Sequence, residues 1–84
     1  MNFRDATMGL IAKEQPDLHQ RLAKEAELGE RHPRAWRAAE NQAIRKYKRQ
    51  TGKTAGGPGF DWDMIKAWLK TALPLILKVL LMFL

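Results

Sequence analysis

From Leu75 to Leu84 the only polar side chain is Lys78, and no other part of the chain restricts its fold as strongly. Extended back to Trp62, this C-terminal segment is about 34 Å long if helical, at roughly 1.5 Å per residue, enough by length to cross a bilayer. Composition is less favourable. The ten Leu, Ile, Val and Phe residues from Leu69 onward contribute about −4 to −5 kcal/mol to insertion, and a central lysine, here Lys78, costs about +3 kcal/mol. Pro74 adds a missing backbone donor. A lone transmembrane span is therefore only weakly favoured.

Helical periodicity divides the segment into two arcs. Asp63, Lys66, Lys70 and Lys78 share one, while Ile65, Trp68, Leu69, Ala72, Ile76, Val79, Leu80 and Phe83 share the other. Such a helix either lies in a membrane interface with its lysines toward water or joins a bundle with its lysine arc facing protein or water. Indole rings favour the headgroup boundary, so Trp62 and Trp68 would mark the depth of entry. A chain of 84 residues can build only a modest core, and the rest of this one is expected to be too small to shield the tail. An external cover is expected instead: membrane lipid or the hydrophobic surface of a larger assembly. The anchor set is Trp62, Ile65, Trp68, Leu69, Ile76, Leu77, Val79, Leu80 and Phe83.

Hydrophobic residues make up 45% of the chain, yet the mean hydropathy is −0.45, so charge must concentrate elsewhere. It does. Residues 31–53 hold eight basic side chains against Glu40 alone, whereas residues 1–30 are slightly acidic. The helix expected from about Pro33 to Gln50 places Trp36, Ala39, Ala43 and Tyr47 on one stripe and Arg34, Arg37, Asn41, Arg45, Lys48 and Arg49 on the opposite side. Arg34, Arg37, Arg45, Lys48 and Arg49 form a candidate anionic-ligand face. Nucleic-acid phosphate, lipid headgroups and an acidic protein groove all suit it, as does plain solvation of a charged face.

Before Pro33, the residues Phe3, Leu10, Ile11, Leu18 and Leu22 recur at helical spacing, with Asn2 as an N-cap. Pro16 should split or kink this segment, Gly29 should cap its end, and Pro33 should open the next helix. The expected architecture is all-α: an amphipathic helical hairpin over 1–50 with a basic second helix, a Gly/Pro linker over 51–59, and an anchor helix over 60–84 that Asp61 or Asp63 caps.

Catalytic chemistry has little to work with. There is no cysteine, hence no disulfide, thiolate metal site or thiol nucleophile. There is no serine either, and the threonines Thr7, Thr51, Thr54 and Thr71 lack the partners of a hydrolytic triad. Gly52, Lys53 and Thr54 match the end of a phosphate-binding loop, but Tyr47 stands where its first glycine belongs. Glu14, Asp17, Glu25, Glu27 and Glu30 form an acidic set without a pocket to tune them. His19 and His32 stand apart from any ligand pair, so neither a metal nor a cofactor is expected.

The expected function is that of a non-enzymatic accessory or structural protein, such as a virion component or a minor subunit of a membrane complex, present as an oligomer or complex subunit. Its alternatives are a nucleic-acid-packaging module and a membrane-disrupting protein. Met1 to Ile11 has no continuous apolar run and carries Asp5, so no secretory signal is expected. The basic segment is expected on the cytoplasmic or virion-interior side of a membrane.

Overall fold

A computed structural model describes residues 2–83. The chain is all-α, as its periodicity predicts: α1 (Phe3–Glu14), α2 (Pro16–Glu27), α3 (Pro33–Thr51), a 3₁₀ turn (Trp62–Ile65) and α4 (Lys66–Phe83), with no strand among the described residues.

Local chemistry sets the boundaries. The Asn2 side-chain oxygen accepts the Asp5 amide at 2.8 Å and starts α1. Pro16 cannot donate to the preceding turn, so α1 stops and α2 begins across Gln15. Gly29, at φ 87°, turns the chain after α2, and Pro33 occupies the first turn of α3. Gly52, at φ 73°, closes α3, its amide donating to the Lys48 carbonyl. The Asp61 carboxylate accepts the Asp63 amide at 3.0 Å and caps the turn into α4. Pro74 lies inside α4 on its exposed side, and the helix runs through it.

The packing differs from the sequence expectation in one respect. The main partner of α3 is α4 rather than the N-terminal segment; α1 packs on α4 and reaches α3 where Phe3 and Arg4 meet Trp36, and α2 folds against α1. The reason lies in side-chain size. Ala35, Ala39 and Ala43 line the inner face of α3, and small residues let two helix axes approach closely. Leu69, Ala72, Ile76 and Leu80 of α4 fill the space, each at most 1% exposed. Phe3, Leu10 and Ile11 of α1 belong to the same core. The radius of gyration is 12.3 Å, against about 12 Å for a compact chain of this length.

The linker takes part in this core. Ala55 is buried, and Gly56, at φ 85°, leaves room for Ile44 and the edge of Trp62. A Cβ there would stand 2.9 Å from the end of the Ile44 side chain, so glycine serves both the turn and the close approach.

Candidate functional site

The expectation that the body cannot cover the tail is corrected. Of the nine anchor residues, Trp62, Leu69, Ile76 and Leu80 are buried, Ile65, Trp68, Leu77 and Val79 are partly buried against the core, and Phe83 is exposed. Trp62 is enclosed by aromatic edges, with ring centroids 4.9 Å from Phe3 and 5.3 Å from Phe60. Trp68 stands 4.9 Å from the Tyr47 ring and donates its indole N–H to the Gln50 side chain at 2.7 Å. Both indole bodies pack within the chain, and the Trp68 N–H finds its acceptor there too.

What remains outside is a tip. Leu81, Met82 and Phe83 are 52%, 75% and 53% exposed. They end α4 beside the start of α3, where Phe83, His32, Pro33, Arg34 and Ala35 line one open groove. Lys78, one turn earlier on α4, is exposed as well. Three adjacent apolar side chains are thus flanked by cations from two helices. No helix among the described residues is long and apolar enough to cross a membrane.

The second feature is the outer face of α3. Arg34, Arg37, Arg45, Lys48 and Arg49 are all exposed, with Asn41 between them. Their alignment follows from the burial of Ala35, Trp36, Ala39 and Ala43 on the opposite side. The ion pairs seen among the described residues lie elsewhere, at Arg21–Glu25, His32–Glu25 and Lys70–Glu14.

One grouping escaped the sequence reading. Glu25, Glu30 and His32 place their ligand atoms within 4.8 Å of one another, with His32 Nε2 3.0 Å from Glu25 Oε2. His32 sits at φ 47° at the start of α3, and the turn after Gly29 brings it back to the end of α2. These three are the residues best placed to share a cation, but Glu25 also accepts from Arg21 Nε at 3.3 Å, a surface ion-pair arrangement. Glu25 and His32 are seven residues apart in the chain and meet only because the turn at Gly29 lies between them. Beside α1 and α4, Glu14, Gln15, Lys70, Leu73, Pro74 and Leu77 line a shallow depression without convergent catalytic groups.

Comparison with protein-family models, with curated proteins and with solved structures finds no match. The functional reading rests on the chain's own residues.

Proposed function

We propose that this is a non-enzymatic accessory protein that attaches peripherally to an anionic membrane surface through the C-terminal end of α4. The observation that carries the reading is the exposure of Leu81, Met82 and Phe83 next to Arg34 and Lys78. Apolar side chains entering the acyl boundary and cations meeting negative headgroups reinforce one another, the usual basis of interfacial attachment. The remainder of the tail supports the tip from within the core and does not itself enter lipid. Attachment of this kind suits a minor subunit of a membrane complex or a virion component.

Flotation with vesicles tests it. The full chain is expected to float with vesicles containing phosphatidylglycerol, not with phosphatidylcholine alone, and to leave an enclosed dye in place. Leu81→Lys combined with Phe83→Lys should abolish flotation while leaving the thermal transition unchanged, since both side chains already face solvent. If the wild-type chain stays at the bottom of the gradient with both lipids, or the double variant floats as well as wild type, the proposal is wrong.

A further inference from the structure

We infer that the outer face of α3 is a docking surface for duplex DNA, running away from the apolar tip, with which it shares Arg34. Arg34, Arg37, Asn41, Arg45 and Lys48 follow one another at intervals of three or four residues and fall on a single stripe of the helix. The stripe is about 21 Å long at roughly 1.5 Å per residue. Its cations form two groups, Arg34 with Arg37 and Arg45 with Lys48 and Arg49, and Asn41 stands between them. No ion pair among the described residues engages any of these five cations. Their charge is therefore available to a ligand.

The absence of large exposed apolar side chains separates this face from a lipid-binding one. The large hydrophobic residues open to solvent are Leu28, Met64, Leu81, Met82 and Phe83, and none lies on α3. A lipid-binding helix needs a large apolar component to enter the acyl region; this face offers guanidinium, ammonium and carboxamide groups, with Ala38 its one small apolar side chain. A rigid helix with cations toward both ends and an amide at its centre matches a major groove about 12 Å wide, where cations meet phosphates on the two walls and Asn can bond to a base edge. The deep, narrow major groove of A-form RNA does not admit such a helix, which selects duplex DNA. The buried alanine face fixes the stripe to the body, so little side-chain freedom besides that of the cations is lost on docking. Glu25 and Glu30 gather at His32 and mark where the cationic surface ends.

The test is fluorescence anisotropy of the full chain with a labelled duplex of about 20 base pairs, titrated across a range of salt concentrations. Five phosphate contacts predict a slope of log K against log salt of about −4 to −5. Arg37→Gln with Arg45→Gln and Lys48→Gln should reduce that slope by about 3, whereas Lys66→Gln with Lys70→Gln, which remove exposed cations from α4 away from the tip, should leave it unchanged. Arg34 is left intact so that the tip keeps its flanking charge, and vesicle flotation of the α3 variant should persist. Circular dichroism melts establish that both variants are folded. The inference is overturned if the wild-type chain does not bind the duplex at low salt. Equal loss in the α3 and α4 variants would show that net charge alone attracts DNA, and equal or tighter binding of single strands or RNA duplexes would remove the groove fit; either result overturns it. Loss of vesicle flotation with unchanged DNA binding in the α3 variant does so as well, by assigning the stripe to lipid.

Discussion

Two stretches of α4 carry large apolar side chains and leave them in opposite environments. Between Leu69 and Leu80, five side chains of α4 are buried in the core it shares with α3 and α1; at Leu81, Met82 and Phe83 the same helix opens to solvent. Hydrophobicity alone does not separate them. What separates them is the length of the cover: α3 begins at Pro33, and α4 reaches its last turn beside that end. Apolar surface that meets a partner helix stabilises the fold, and apolar surface beyond the partner's end is left for something else.

The largest expected effect lies in the covered stretch. Ile76→Ala, at a fully buried position, should cost about 2 to 5 kcal/mol in urea unfolding, enough to lower the thermal midpoint by more than about 8 °C. A loss below about 1 kcal/mol would mean that α4 does not occupy this core in solution. Next comes the linker that returns α4 to α3. Gly56→Ala must adopt a positive φ and displace the Ile44 terminus; a cost of about 1 to 2 kcal/mol is expected, mainly from the backbone. If the change stabilises the chain, the linker is not held in the turn seen here.

A gain is expected in the wall that covers α4. Thr7 is fully buried on α1, and its hydroxyl lacks a hydrogen-bond partner. Thr7→Val keeps the shape and removes the unsatisfied group, so stability should rise by about 1 kcal/mol; a fall in the midpoint would show that the hydroxyl is bonded. The smallest effect belongs to the open end. Leu81→Ala should change unfolding by less than about 0.5 kcal/mol, and a loss as large as that of Ile76→Ala would erase the distinction between the two stretches.

Much of the helix pattern was legible because it rests on short-range chemistry. Asn2, Pro16, Gly29, Pro33 and Asp61 each act within a few residues, and each does in the structure what its type and position suggest. The cationic stripe was legible too, since Ala35, Trp36, Ala39 and Ala43 had to face inward if α3 packed at all. The cover over Trp62, Leu69, Ile76 and Leu80 was not. It depends on three alanines some thirty residues away, along α3, and on which helix they meet, a choice that periodicity leaves open. The gathering of Glu25, Glu30 and His32 was hidden for the same reason, because it requires the turn at Gly29 to be folded.

By itself the amino-acid order determined where helices start and stop and which side chains stay in water, because caps, proline breaks and the cost of burying charge act locally. Only the tertiary structure decided that α4 pairs with α3 and that its apolar surface is covered as far as Leu80 and open from Leu81. Burial is a property of two surfaces, and the second surface is set by helix pairing, linker conformation and side-chain size at distant positions.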